Sequence, residues 1–262
     1  MKIGIVLSGG GIRGIAHLGV LQALTEAGIQ FDRISGTSAG AIVGALFAQG
    51  HQPNEIFQIF LKTRLSKFFR PAFGAFGLLS LDHTRSLFME YLPHDSFSSL
   101  KIPLVISATN FSEGKLVYFS SGKLIQAILA SSSIPGIFKP IMIDGKMFVD
   151  GGILNNFPIE PLRDDCDFII GSSCNHLPPV DKIVNFRRLI ERAAIMSINS
   201  DMEMKRQYCD VLIEPDGMGA TSIFDVKKAE EIYWLSYEAA LRKLQTDKKL
   251  QQIIRKPENK SS

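Results

Sequence analysis

The chain has 262 residues, 45% of them apolar and 21% charged, and its formal net charge is +3. This length and composition can bury a full hydrophobic core, so we expect one α/β domain over residues 1–255 and a flexible tail over 256–262. No apolar run approaches the roughly 18 to 20 residues of a membrane-spanning helix, and the small net charge does not indicate a nucleic-acid partner.

The three cysteines, Cys166, Cys174 and Cys209, are odd in number and widely spaced. Such spacing argues against a disulfide framework and against a zinc site. The N-terminal apolar stretch, Ile3 to Leu7, is too short for a secretory signal. We therefore expect a cytoplasmic protein that uses no metal and no cofactor, with peripheral contact at the inner membrane face left open.

Strand-like and helix-like patterns alternate from the N terminus onward. The predicted strands are residues 3–8, 31–35, 103–109, 115–121, 141–144, 146–150, 167–173 and 210–215. The predicted helices are residues 14–28, 39–50, 122–132, 182–206 and 226–254, the last two covering the sheet. Strand, glycine turn and helix, repeated twice at the start of the chain, are typical of a mostly parallel α/β sheet.

The first predicted strand runs directly into GGGIRG, residues 9–14, which has the spacing Gly-x-Gly-x-x-Gly. Closely spaced glycines let backbone amides approach an anion, and the positive end of the following helix points at the same place. These properties suit a nucleotide pyrophosphate and a reaction oxyanion equally well. A dinucleotide site requires an acidic residue at the end of the second strand, but Asp32 stands near the start of that strand.

A second glycine turn, GTSAG at residues 36–40, follows the second predicted strand and leads into a helix. A strand, Gly-x-Ser-x-Gly and a helix together are typical of a nucleophile elbow. The flanking glycines relieve crowding, and the serine hydroxyl is exposed beside a helix N-terminus. Two glycine motifs, both between a strand and a helix, favour acyl chemistry at Ser38 over nucleotide binding.

A serine hydroxyl needs a base within hydrogen-bond reach, and the sequence offers two candidates. Asp150 ends a predicted strand in MFVDGG, where two glycines let the backbone turn sharply. Ligands gather at the carboxyl ends of strands in α/β sheets, and partial burial raises the basicity of a carboxylate. His176 follows Ser38 and Asp150 in the chain order of an α/β-hydrolase triad. We interpret His17, inside the first helix, as structural.

The segments GGGIRG, GTSAG and DGG, in this order, resemble those of the patatin-like phospholipases. The similarity extends to ASSSIPGIF at residues 130–138, to Asn156 and Pro158 after DGG, and to the distal DVLIEPDGMGATSIFD. It covers most of the chain and is closest to the compact bacterial single-domain members. The resemblance implies a three-layer α/β/α sandwich with a mostly parallel central sheet, as in acyl-carrier transacylases.

The resemblance also implies a catalytic dyad, with Ser38 as the nucleophile and Asp150 as the general base. No histidine is then needed. The glycine loop becomes an oxyanion hole, and its basic member is a candidate contact for a substrate phosphate. The implied loop residues are Gly9, Gly10, Gly11, Ile12, Arg13 and Gly14, and the implied motif glycines are Gly36, Gly40, Gly151 and Gly152.

The activity implied by the resemblance is hydrolysis of acyl esters in phospholipids or lysophospholipids. The same dyad can hand an acyl group to an alcohol or thiol instead of water, so an acyltransferase or thioesterase is the enzymatic alternative. A nucleotide-binding regulatory module is the alternative from a different class.

Residues 56–81 are rich in phenylalanine and contain no Asp or Glu. Basic charge beside aromatic surface suits anionic headgroups and acyl chains. One hypothesis is therefore a mobile cap over the site that touches the membrane. The alternative is that four apolar residues of this segment face the core, namely Phe57, Phe60, Leu61 and Leu65. The basic residues of this segment are Lys62, Arg64, Lys67 and Arg70.

Overall fold

Most of the predicted strands form one sheet in a computed structural model of the chain, which describes residues 1–63, 70–71, 79–81, 84–180, 185–218 and 225–254. The strands are β1 (Ile3–Leu7), β2 (Arg33–Thr37), β3 (Arg70–Pro71), β4 (Leu79–Ser80), β5 (Leu104–Asn110), β6 (Lys115–Phe119), β7 (Ile141–Ile143), β8 (Lys146–Asp150), β9 (Phe168–Ser172) and β10 (Val211–Ile213). The order in the main sheet is β10-β9-β1-β2-β5-β8-β7, with β6 paired to β5, whereas β3 and β4 pair with each other.

The helices flanking this sheet are α1 (Ala16–Glu26), α2 (Ala39–Gln49), α3 (Pro53–Lys62), α4 (Thr84–Tyr91), α5 (Leu124–Ser131), α6 (Glu160–Arg163), α7 (Phe186–Ile198), α8 (Met202–Arg206), α9 (Ala229–Thr246) and α10 (Lys248–Ile253). Strands β10, β9, β1, β2 and β5 run parallel, so the predicted mostly parallel α/β sheet is confirmed. Over the described ranges, no helix is long and apolar enough to span a membrane.

The helix predicted over residues 182–206 differs from the observed structure. It is divided into α7 and α8 by a turn at residues 199–201. The sequence there is Asn-Ser-Asp, and such short polar side chains compete with the helix for backbone hydrogen bonds. The two resulting helices can therefore take different directions.

Two aspartates close the amino edge of the parallel strands. Asp32, just before β2, accepts a hydrogen bond from the Ile3 amide at 2.7 Å. Asp167, just before β9, accepts one from the Lys2 amide at 2.7 Å. Because ligands of parallel sheets bind at the opposite, carboxyl edge, Asp32 lies on the wrong side of the sheet for a ribose ligand.

The central strand β5 holds β2 and β8 end to end along one of its edges. Its first half is parallel to β2 and has Ser107 opposite Thr37, and its second half is antiparallel to β8 and has Ala108 opposite Asp150. Strand β6 pairs with residues 106–110 of β5 and therefore occupies the other edge. The carboxyl ends of β2 and β8 consequently meet at adjacent residues of β5.

The described part of residues 56–81 includes two buried side chains on α3, Ile56 and Phe57. The Phe57 ring stacks on Tyr233 of α9 with 4.4 Å between the ring centroids. These two residues pack into the core, whereas Phe60 is partly buried and Leu61 on the same helix is 39% exposed. The rest of the cap hypothesis and the predicted tail fall largely on residues outside the described ranges, namely 64–69, 72–78 and 256–262.

Candidate active site

Ser38 lies at the sharp turn between β2 and α2. Its backbone has φ 52° and ψ −119°, a conformation that residues with a side chain rarely adopt. Gly40 permits this turn, because a Cβ there would meet the carbonyl oxygen of Leu7. The Ser38 amide donates to Ser131 Oγ at 2.8 Å, which ties the turn to the end of α5. The Ser38 side chain is thereby held at the positive end of α2.

Asp150 accepts one hydrogen bond through each carboxylate oxygen. Ser38 Oγ donates to Oδ2 at 2.6 Å, across 112 positions of sequence. The Gly152 amide donates to Oδ1 at 2.7 Å, and the Asp150 amide itself donates to the Ser133 carbonyl oxygen at 2.9 Å. The carboxylate is therefore fixed in orientation, with one oxygen directed at the Ser38 hydroxyl.

Ser38 and Asp150 are both buried, with 6% and 7% of their surfaces exposed. Burial raises the pKa of Asp150 from 3.8 to about 6, because the charged carboxylate loses hydration, while the hydrogen bonds from Ser38 and Gly152 oppose that rise. A carboxyl group with this pKa is mostly ionised at neutral pH, yet it is a stronger base than a solvated aspartate. The pair can therefore exchange a proton between the serine hydroxyl and the carboxylate.

The glycine loop after β1 passes beside Ser38, since a Cβ built on Gly9 would lie 3.3 Å from Ser38 Cβ. The loop continues as a 3-10 helix, Gly11–Ile15, and Gly11 has φ 58°, which glycine adopts without strain. The Gly9 amide donates to the Asn156 carbonyl oxygen at 3.0 Å, so it is engaged within the protein. The first amides of the 3-10 helix have no acceptor inside the helix.

Arg13 of the same loop is almost fully buried, with 1% of its surface exposed. Burial raises the pKa of the neighbouring Cys174 thiol to about 11, and a hydrogen bond with Ser8 and the charge of Arg13 oppose this rise. A substrate phosphate belongs to a hydrated lipid headgroup. The burial of the Arg13 side chain therefore does not favour the expected contact between Arg13 and that phosphate. Gly14 packs against the first residue of α2, since a Cβ there would meet Ala39 Cβ.

His17 is fully buried on α1 and uses both ring nitrogens. Nε2 lies 2.8 Å from the Ser8 carbonyl oxygen, which can only accept, so Nε2 carries the proton and Nδ1 accepts from Ser172 Oγ at 2.8 Å. Burial lowers the pKa of His17 to about 4, which keeps the ring neutral at physiological pH. His17 connects the ends of β1 and β9, which agrees with the structural interpretation.

His176 is placed among carboxylates. Its Nδ1 lies 3.5 Å from Glu214 Oε2, and its Nε2 lies 3.9 Å from Asp216 Oδ1. The Ser38 hydroxyl donates to Asp150 instead. The described contacts therefore favour Asp150 over His176 as the base that serves Ser38.

A buried polar network under the site was missed by the sequence analysis. Lys205 Nζ binds Asp201 at 2.8 Å, Glu160 at 3.3 Å and the Asn155 side-chain oxygen. The Asn155 carbonyl oxygen accepts from Thr37 Oγ1 at 2.9 Å, next to Ser38 in sequence. The network supports the end of β2. The one sequence signal for Asn155 is its position shortly after the DGG segment. Nothing in the local sequence around Lys205 distinguishes it from a solvated lysine.

A cavity of about 390 Å³ lies between α4, α5 and β7, and contains neither Ser38 nor Asp150. Its lining includes Arg85, Leu129, Lys139 and Met142. Among the described residues, no group of three His, Cys, Asp or Glu side chains is arranged to hold a metal ion. The three cysteines are free thiols.

Comparison with known proteins identifies the family of this chain. A family model described as patatin-like phospholipase matches residues 5–163, more than half of the chain. An uncharacterised NTE family protein of Mycobacterium tuberculosis is 34% identical over 181 residues, which are 66% of this chain and 49% of that relative. A protein named lysophospholipase nte1 from Neurospora crassa is 32% identical over 169 residues, 62% of this chain and 11% of that relative. The chain thus spans about half the length, or less, of these relatives.

Among solved structures, VipD from Legionella pneumophila is similar in fold. The TM-score is 0.64 at 16% sequence identity, and the match covers 94% of this chain and 67% of that protein. At this identity the likeness concerns the fold alone.

Proposed function

The chain belongs to the patatin-like phospholipase family, and we propose that it hydrolyses acyl esters of phospholipids or lysophospholipids through Ser38 and Asp150. The observation that carries this proposal is the 2.6 Å hydrogen bond from Ser38 Oγ to Asp150 Oδ2. A strained turn presents the hydroxyl, and burial makes the carboxylate more basic. In this proposal, residues 1–255 act as one catalytic unit, and its main sheet carries both Ser38 and Asp150.

In the first half of the reaction, Ser38 Oγ attacks the ester carbonyl carbon while its proton passes to Asp150 Oδ2. The carbonyl oxygen becomes an oxyanion. The carbon–oxygen bond to the glycerol backbone then breaks, and the leaving alcohol takes the proton from Asp150. The acyl group remains on Ser38 as an ester.

In the second half, Asp150 takes a proton from water, and the resulting hydroxide attacks the acyl-serine. The bond from Ser38 Oγ to the acyl carbon breaks, Ser38 regains its proton, and the fatty acid leaves. The proposed oxyanion donors are amides of the loop at Gly10, Gly11 and Ile12. Gly9 positions the loop, because its own amide is bound to Asn156.

Labelling with a fluorophosphonate probe tests whether Ser38 is an activated nucleophile. We expect the wild-type chain to be labelled and Ser38→Ala to be unlabelled, with hydrolysis of a short-chain p-nitrophenyl ester reduced by about 10⁴-fold or more. Ser121→Ala, at an exposed serine on the loop after β6, is the matched control and should behave as wild type. Wild-type protein that fails to label, or Ser38→Ala that labels equally well, contradicts the proposal.

A lipid panel with product analysis by mass spectrometry then identifies the substrate and separates hydrolysis from transfer. Phospholipid and lysophospholipid are offered separately, with and without an alcohol or a thiol as a competing acceptor. Free fatty acid as the main product supports the hydrolase. A dominant acyl-alcohol or acyl-thiol product would instead show an acyltransferase acting through the same pair.

A further inference from the structure

Helix α7 presents apolar side chains to solvent. Phe186, Leu189, Ile190 and Met196 are large apolar residues on this helix that are about half exposed or more, while Ile195 is buried. Ala193 and Ala194 are exposed as well. At about 100° per residue, the exposed apolar positions span an arc of roughly 160° on one side of the helix. The helix is therefore amphipathic with its apolar face turned outward.

This arrangement differs from that of the long helix α9. Helix α9 packs mainly against α1 and buries Ile232 and Tyr233, as expected for an amphipathic helix. A largely apolar face in water, here interrupted only by the exposed Ser197, is unfavourable, and it usually marks a surface that a partner covers. The outer face of α7 thus requires an occupant.

The C-terminal end of α7 is connected to the candidate active site. Asn199 directly follows α7, and its side-chain oxygen accepts from Asn156 Nδ2 at 3.2 Å. Asn156 in turn binds the Gly9 amide of the glycine loop. Ile153 and Leu154, which follow the DGG segment, are also apolar and exposed. Exposed apolar residues therefore occur both on α7 and directly after the segment that carries Asp150.

The charge of α7 indicates what the occupant is. The helix contains three arginines, Arg187, Arg188 and Arg192, and one acidic residue, Glu191, so its own formal charge is +2. An apolar face on a basic helix matches the acyl region and the anionic headgroups of a bilayer surface. An interface between two identical basic helices would place like charges together.

We infer that the outer face of α7 docks the protein on an anionic lipid surface, with the helix lying in the plane of the interface. This inference rests on the proposed function only in taking a lipid as the partner. It differs from the cap hypothesis, since it assigns membrane contact to α7 and not to residues 56–81. Docking through α7 would bring the Ser38 site close to its lipid substrate.

The test measures binding of Ser38→Ala protein to sedimented vesicles, so that no lipid is consumed. Vesicles of phosphatidylcholine with phosphatidylglycerol are compared with pure phosphatidylcholine. We expect stronger binding to the anionic vesicles, weakened by added salt. The double substitution Leu189→Gln/Ile190→Gln should lower the partition coefficient by about tenfold or more, because each apolar side chain no longer inserts.

A pair of methionines supplies the matched control. Met196 on α7 is 57% exposed and Met142 on β7, at the opposite end of the sheet, is 53% exposed. Met196→Gln should weaken vesicle binding several-fold, whereas Met142→Gln should leave it unchanged. The same α7 substitutions are also made in the chain that retains Ser38. These variants should hydrolyse a soluble short-chain ester at the wild-type rate, which shows that they are folded.

Wild-type vesicle binding by the α7 double variant overturns the inference. So does equal weakening by Met196→Gln and Met142→Gln. Sedimentation without lipid tests whether a second copy of the chain covers this face instead. A dimeric wild-type protein and a monomeric double variant, with equal vesicle binding, would assign the face to a second copy. A protein that docks through α7 but does not hydrolyse the soluble ester would refute the proposed function alone.

Discussion

The candidate active site and the outer face of α7 depart from the usual distribution of side chains in opposite directions. At the site, the polar residues Ser38 and Asp150 are buried and hydrogen-bonded. On α7, the apolar residues Phe186 and Ile190 are 76% and 52% exposed. Buried polar groups and exposed apolar faces are both unfavourable for folding alone. Each departure therefore marks a place where another requirement outweighs stability.

The two regions also divide the work that we propose for the molecule. The buried pair carries out chemistry on an ester whatever surface the ester comes from. The exposed helix selects a surface and makes no contact with the reacting atoms. Substitutions at the site should therefore reduce hydrolysis of a soluble ester without changing vesicle binding. Substitutions on α7 should reduce vesicle binding without changing hydrolysis of the soluble ester.

Asp150→Asn should separate the two regions most strongly. An amide cannot accept the Ser38 proton, so we expect hydrolysis of a soluble ester to fall by about 10³- to 10⁴-fold, while vesicle binding stays unchanged. Asp144→Asn, at an exposed position in the turn before β8, is the matched control and should keep full activity. Retained activity in Asp150→Asn would return His176 to consideration as the base.

The same substitution should make the fold more stable. Burial raises the pKa of Asp150 from 3.8 to about 6, so the folded state holds the proton more tightly than the unfolded chain. The free energy of unfolding consequently decreases as pH rises from about 4 to 6, by roughly 1 to 3 kcal/mol. Asp150→Asn removes this decrease, so denaturant unfolding at pH 7 should give a higher free energy of unfolding for the variant than for wild type. Asp144→Asn should show none.

A smaller effect is expected from Gly11→Ala. At φ 58° an alanine is strained by roughly 1 to 2 kcal/mol, and relief of this strain moves the loop amides that the proposal assigns to the oxyanion. We expect kcat to fall by about 10²-fold with vesicle binding unchanged. Gly114→Ala has nearly the same strain, with φ 65° in the turn between β5 and β6, and should lose stability without losing activity. Equal activity in the two variants would remove the loop from the proposed mechanism.

The smallest expected effect is on pH. Because the base must be ionised and burial raises the pKa of Asp150 to about 6, kcat/KM for a soluble ester should be about tenfold lower at pH 5 than on its plateau above pH 7. Vesicle binding should be nearly constant over this range, since arginines remain charged. Parallel losses of turnover and binding below pH 6 would show that the two regions are coupled through a common titration.

Much of the local structure could be predicted from the sequence. Apolar runs predicted the strands, and glycine spacing predicted the turns that follow β1 and β2, because these features depend on neighbouring residues only. The boundary between α7 and α8 was missed, since a short polar turn inside a helical pattern competes only weakly with the periodic signal. The outward orientation of α7 was missed as well: amphipathic spacing defines an apolar face but not the direction in which it points.

The chemically important residues could be recognised from the sequence alone: a serine in a glycine turn, an aspartate before two glycines, and a glycine loop after the first strand. The sequence did not determine that these would meet. The carboxyl-edge rule for parallel sheets cannot place Asp150, because β8 is antiparallel. Their meeting depends on long-range strand pairing. Strand β5 pairs with β2 and then with β8 along one edge, which places Ser38 and Asp150 side by side although they are 112 positions apart in sequence.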